Sequence, residues 1–215
     1  MSGTDNYRDL SLKPASSPFK NNNFEAFLWG NMFSVACDLY GLSIILDISI
    51  RQPSKMGTFE REFFEDTLAT AEYNIYSFPY PNEVGVIRST TYYRQLSWRN
   101  AAMLYAICVL RKWDPAGAGQ AIRAMTNELI VALQASDMNA LRSDFAEVLV
   151  WMLFIGSRAA LDAPHREWIL LELRQVIRIL RIHSVQELEW LLRSLIYSEC
   201  ILHETLYKLW PEIEG

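Results

Sequence analysis

From Ser89 to Trp210 apolar side chains return every three to four residues, interrupted only at capping residues and prolines. No other feature constrains this chain as strongly. Spacing of i, i+3, i+4 and i+7 lines one face of an α-helix, whereas a half-buried strand needs strict alternation. Trp98, Ala101, Ala102, Tyr105, Cys108 and Val109 make one such stripe. It follows the N-cap candidates Ser89-Thr90-Thr91 and predicts a helix to about Lys112. Asp114-Pro115, an acidic cap followed by proline, opens a helix with Ile122, Met125, Leu129, Ile130 and Leu133. Ser136-Asp137 caps a helix that carries Leu141, Phe145, Val148, Leu149, Met152 and Leu153. Asp162-Ala163-Pro164 starts another, with Ile169, Leu173, Val176, Ile177 and Leu180 aligned. Ser184-Val185-Gln186-Glu187 fits the S-x-x-E capping box and precedes Leu188, Leu191, Leu192, Leu195 and Ile196. A last helix holds Ile201, Leu202, Leu206, Leu209 and Trp210 and is expected to stop at Pro211.

The front of the chain is less regular. Residues 1–23 are polar and rich in Ser, Pro and Asn, so they read as a disordered lead. Phe24 to about Ile50 is apolar on nearly every side, which predicts one or two buried helices with a break near Gly41. Gln52-Pro53-Ser54 ends that stretch. A short helix is expected from Thr58 to about Tyr73, with Phe59, Phe63, Phe64 and Leu68 on one side. Pro79, Pro81 and Gly85 mark residues 74–88 as a loop, and Val84–Ile87 is too short and too isolated to argue a strand. The fold class is therefore all-α: an irregular array of about seven to nine helices over residues 24–215, with no fixed repeat period.

Composition excludes several classes. Hydrophobic residues are 51% of the 215, so full-length disorder is excluded. The net charge is −5, which gives the chain no overall attraction for nucleic-acid phosphates. Asp38 and Asp47 interrupt the longest apolar stretch, Asn31 to Ile50, and Val148–Ile155 is far short of the ~20 residues a membrane span needs. No transmembrane segment or secretory signal is expected. Cys37, Cys108 and Cys200 are sparse and lie among apolar neighbours, which suits buried thiols in a reducing, intracellular compartment.

Reactive constellations are weak. His165, His183 and His203 lie 18 and 20 positions apart, matching no local ligand pattern. Cys200 and His203 share a helix face, with Glu204 beside them, but the pair supplies two metal ligands only. Glu62 with Glu65-Asp66 is the nearest approach to a magnesium-diphosphate cluster, and no second acidic motif follows it. Gly117-Ala118-Gly119 lacks the Lys-Ser/Thr of a phosphate loop. Arg174, Arg178 and Arg181 form a stripe read as a solvated helix face that a partner or a phosphate could touch. Trp29, Trp98, Trp113, Trp151, Trp168, Trp190 and Trp210 read mostly as core wedges. No catalytic, cofactor-binding or metal-ligating residue is singled out.

Several tracts, in order, resemble one known family. Val148–Ala160 (VLVWMLFIGSRAA) resembles the "L-x-W-x-L-F-I-G-G-x-A-A" helix of the fungal-specific transcription factor regulatory domain, the large helical part of fungal zinc-cluster regulators. Asn100–Tyr105 is similar to its "A-A-L-I-Y-L" helix and His165–Trp168 to its "R-x-W" helix start. Ser184–Leu188 is similar to its capping turn, Trp190–Tyr197 to its "L-x-x-F-L-W" helix, and Leu209–Ile213 to its closing "L-W-x-E-V". The likeness spans about residues 95–215, with Ser157 in place of the second family glycine and Val185 in place of the turn tryptophan. It implies a non-catalytic regulatory domain working in the nucleus through partners in the transcription machinery or a homodimer, with a small-molecule effector as a further partner. The family holds zinc in an N-terminal six-cysteine module. These residues contain no such module, so no cofactor, no direct DNA reading and no membrane contact are expected of them. A generic helical interaction scaffold and an all-α enzyme on an apolar substrate are the alternative readings.

Overall fold

The computed structural model describes residues 24–29, 31–78, 89–112, 119–160 and 165–214. The polar lead, the Val84–Ile87 segment, Trp113, and the helix starts expected at Asp114-Pro115 and Asp162–Pro164 lie outside them. Among the described residues all regular structure is helical. A single turn, α1 (Phe24–Phe27), precedes α2 (Asn31–Arg51), a 3₁₀ turn (Pro53–Lys55) and α3 (Thr58–Tyr76). Next comes α4 (Thr90–Tyr105), which runs directly into a π-helical turn, Ala106–Leu110. Then follow α5 (Gly119–Ala135), α6 (Met138–Asp144), α7 (Ala146–Ala159), α8 (Arg166–Ile179), α9 (Val185–Arg193) and α10 (Glu199–Glu214). Among the described residues, nine helices longer than one turn make the expected all-α array.

Two helices form the centre. Every side chain from Gln95 to Leu110 is buried, and so is every one from Val148 to Ser157. A helix buried on every side must be enclosed by others, and α4 and α7 are. Trp98 stacks on Trp151 with ring centroids 6.3 Å apart, and Tyr105 lies 5.9 Å from Trp151 on another side. The Trp151 Nε1–H donates to the Ile196 carbonyl at 2.7 Å, which satisfies its one polar atom in the core. Gly156 permits close approach of three helices: a Cβ there would sit 3.1 Å from Leu129 of α5 and 3.5 Å from Ile169 of α8. Several buried polar groups are paired between helices. The Ser43 and Tyr105 hydroxyls share a 2.6 Å hydrogen bond, and burial pushes the phenol far above its usual range. Gln95 donates to the Phe27 carbonyl and accepts from the Trp29 N–H at 3.1 Å, fixing α1 to α4.

The caps read from sequence are in place. Ser89 Oγ accepts from Tyr92 N, and Asp137 accepts from Asn139 N and Ala140 N. Ser184 Oγ accepts from Glu187 N at 3.2 Å, and the Glu187 carboxylate accepts from His183 N at 2.6 Å.

Five expectations are corrected. First, α2 runs unbroken through Gly41. A glycine in a helix interior costs about 1 kcal/mol, while each buried leucine returns about 2 kcal/mol. Leu39, Leu42 and Leu46 are all buried. Second, Asp38 and Asp47 do not interrupt the apolar stretch: α2 has the length and apolarity of a membrane span, as a core helix of this size also can, and Met32, Val35, Leu39, Leu42 and Leu46 belong to the common core. Third, the helix expected from Asp137 through Leu153 is two helices jointed at Phe145 (φ −134°, ψ 30°). The Phe145 ring sits edge-on to Phe27 at 5.1 Å, and the Arg94 guanidinium lies 4.7 Å from its centroid. Fourth, α10 continues past Pro211 to Glu214. Only the last turn lies beyond it, and Arg166 and Arg174 both hold Glu212. Fifth, Phe59 and Phe63 are exposed, because α3 buries the line Leu68, Ala71 and Ile75 instead.

The end of α8 breaks the expected arginine stripe. Arg181 takes φ +56° just past the helix. Ile182 N bonds Ile177 O and Arg181 N bonds Arg178 O, both at 3.1 Å, which is a Schellman ending with arginine where glycine is favoured. Left-handed backbone costs a non-glycine residue about 1 kcal/mol or more. R181G is therefore expected to raise unfolding free energy by about 0.5–1 kcal/mol, net of the extra freedom glycine gives the unfolded chain. Urea titration followed by circular dichroism checks this, and a destabilised variant would contradict the motif.

Candidate functional site

The transition from α4 to the π-turn borders a cleft in the surface. Arg111 N donates to Ala106 O at 2.9 Å, an i to i−5 bond. One extra residue is thereby accommodated in the turn, a device often found at functional positions. A cleft of about 520 Å³ remains between α3, the π-turn and α5. Its floor is apolar, with Leu68, Met103, Ile107, Leu110 and Met125. Its rim is polar: Arg111 makes a two-pronged bond to Glu72, 2.7 Å on each prong, with Glu65 at 3.5 Å. A second cleft of about 390 Å³ shares Leu110 and Glu65 and continues toward α2, past Met56, Phe64 and Arg61. Such a site, an apolar floor with a fixed charged rim, suits a small amphiphilic molecule that covers the floor and hydrogen-bonds to the rim.

A polar network joins α2, α9 and α10 on the other side of the core. The buried Glu189 carboxylate accepts from Arg193 at 3.0 Å and pairs with His203 Nδ1 at 3.0 Å. Arg193 also reaches Glu199 at 3.1 Å, and Glu199 meets Arg51 at 2.5 Å. Burial pushes the Glu189 carboxyl upward, but its bonds from His203 and Arg193 outweigh that and hold it below the usual carboxylate range. A carboxyl depressed in the folded state contributes stability above its unfolded pKa, and that contribution is lost as pH falls through the folded value. E189Q is therefore expected to lower stability near neutrality and to flatten the decline of stability below about pH 4.5, the ordinary range for glutamate. Melting temperatures between pH 3 and pH 8 (a range set by that linkage) read this directly; parallel curves for both proteins would contradict it.

Three features separate here that the sequence left together. Cys200 and His203 do not converge: Cys200 Sγ faces the Asp47 carbonyl at 3.8 Å, His203 pairs with Glu189, and Glu204 pairs with Lys208. Glu62 and Asp66 point outward, while Glu65 turns to Arg111. Among the described residues no three His, Cys, Asp or Glu side chains lie close enough to hold a metal. Arg174 is a helix clamp on the Glu212 carbonyl rather than part of a solvated stripe. Trp98 and Trp151 are core wedges, but Trp190 is 81% exposed. Cys108 is buried as expected, Cys200 is partly buried and Cys37 is exposed.

One contact that sequence reasoning missed binds the two ends of the fold. The Asp47 carboxylate of α2 accepts from Ser198 Oγ at 2.6 Å, Glu199 N at 2.8 Å and Cys200 N at 3.1 Å. It caps α10 from another helix, satisfying the donors left bare at a helix start. The signal in the sequence is an acid within a mostly apolar run, which Asp47 shares with Asp38.

No protein-family model matches this chain, and no curated protein or solved structure matches it either.

Proposed function

We propose that this chain is a non-catalytic regulatory domain of the kind found in fungal zinc-cluster transcription regulators, acting in the nucleus by touching other proteins. One observation carries the reading. Two of the motif tracts, Asn100–Tyr105 and Val148–Ala160, lie in the two helices at the centre of the core, which meet through Trp98, Tyr105 and Trp151. In a regulator of this type those helices are the scaffold, and the surfaces around them do the work. The cleft beside the π-turn is the candidate seat for a small effector, since it has an apolar floor and a fixed ion pair at its mouth.

The test uses a fusion. Joined to an unrelated DNA-binding module in fungal cells, the chain is expected to change transcription of a matched reporter several-fold. The purified chain alone is expected to show no sequence-specific shift of DNA in gels. A folded, nuclear fusion that leaves the reporter unchanged would overturn the regulatory reading. Sequence-specific DNA binding by the chain alone would overturn its restriction to protein contacts.

A further inference from the structure

We infer that the outward face of α3 is a docking surface for a partner protein that presents an apolar groove rimmed by lysine and arginine. α3 has two faces of different character. Leu68, Ala71 and Ile75 are buried on one side. Phe59, Phe63, Asp66, Thr70 and Tyr73, spaced at i, i+4, i+7, i+11 and i+14, form a continuous stripe on the other. Phe59 is 75% exposed, Tyr73 72% and Phe63 45%. Three aromatic rings along one solvated helix face are unusual, because each ring left in water forgoes a large burial gain.

Charge selects the occupant. Glu62 and Asp66 are exposed between the rings, and the stripe holds no lysine or arginine. Neither carboxylate has an ion-pair partner among the described residues, whereas Glu65 and Glu72 on the inner side are taken by Arg111. Two hydroxyls on this face bond back to the backbone: Thr70 donates to the Asp66 carbonyl and Ser77 to the Tyr73 carbonyl. A cationic rim around an apolar groove complements this pattern, with anchors at i and i+4 entering the groove as in helix-in-groove recognition. A second copy does not fit. A two-fold contact on this face, parallel or antiparallel about its middle, sets Asp66 against Asp66, and like charges at an interface oppose association. An anionic lipid surface is repelled in the same way.

The partner can be captured by a photoreactive phenylalanine analogue placed at position 63 of the full chain in living cells. The same analogue at Val131, an exposed site on α5, is the control. The captured protein is then purified and its affinity measured by calorimetry at low and high salt. Supporting results are a partner captured from position 63 and not from 131, with binding that weakens at high salt. The pairs E62K/D66K and F59A/F63A should each weaken that binding at least tenfold while melting temperature stays within a few degrees. Capture of a second copy, of lipid or of nothing overturns the inference, as does a captured partner whose binding ignores the charge reversal. The outcome is separable from the regulatory reading: a silent reporter fusion with a salt-dependent partner sinks that reading alone, and an active fusion with no α3 partner sinks this one alone.

Discussion

Replacing Trp151 by alanine is expected to cost about 5 kcal/mol of folding free energy and to lower the melting temperature by more than about 10 °C. The side chain is fully buried between Trp98 and Tyr105, and its Nε1–H is bonded to the Ile196 carbonyl. Truncation removes a large apolar surface and leaves a cavity, together worth about 3–5 kcal/mol for an aromatic side chain. It also strands a buried carbonyl, which adds about 1–3 kcal/mol. A domain of this size has only about 5–15 kcal/mol to lose. Urea titration monitored by circular dichroism measures the effect. Trp190 supplies the contrast, since W190A removes an exposed ring and should change stability by less than about 0.5 kcal/mol. Two variants with equal losses would refute the placement of α7 at the centre.

The second large effect is D47A. Its carboxylate holds three donors at the start of α10. Removing a cap costs about 0.5–2 kcal/mol, and the remaining donors are partly buried, so the expected loss is about 3 kcal/mol. D47N keeps an acceptor but loses the charge, so about 1 kcal/mol is expected from it. Hydrogen exchange gives a site-specific readout: the amides of Glu199 and Cys200 should exchange faster in D47A, with those in the middle of α7 least affected. Unchanged exchange at Glu199 and Cys200 would remove Asp47 from its role as a cap.

Which parts were legible in the sequence follows from the range of the interactions. Ser89, Asp137 and Ser184 cap their own helices, so a window of four residues reveals them. The joint at Phe145 is set by Arg94 and Phe27, far away in sequence, and no local signal marks it. Gly41 has the sequence of a break but lies where an added Cβ would meet nothing, so core packing of its neighbours decides. In α3, apolar residues lie on both sides at helical spacing. Periodicity finds the helix but does not choose which side faces inward, and the smaller line Leu68, Ala71 and Ile75 fits against the neighbours. The cleft was invisible because its lining comes from α3, α4, the π-turn and α5, which only the packing brings together.

Asp47 also sets a timetable. Ser198, its first donor, is 151 positions further along the chain. At bacterial or fungal rates of translation, roughly 5–20 residues per second, that gap is on the order of ten to thirty seconds. The start of α10 therefore gains its cap only once the intervening chain has been made, and a translation stop before Ser198 leaves α2 without this anchor.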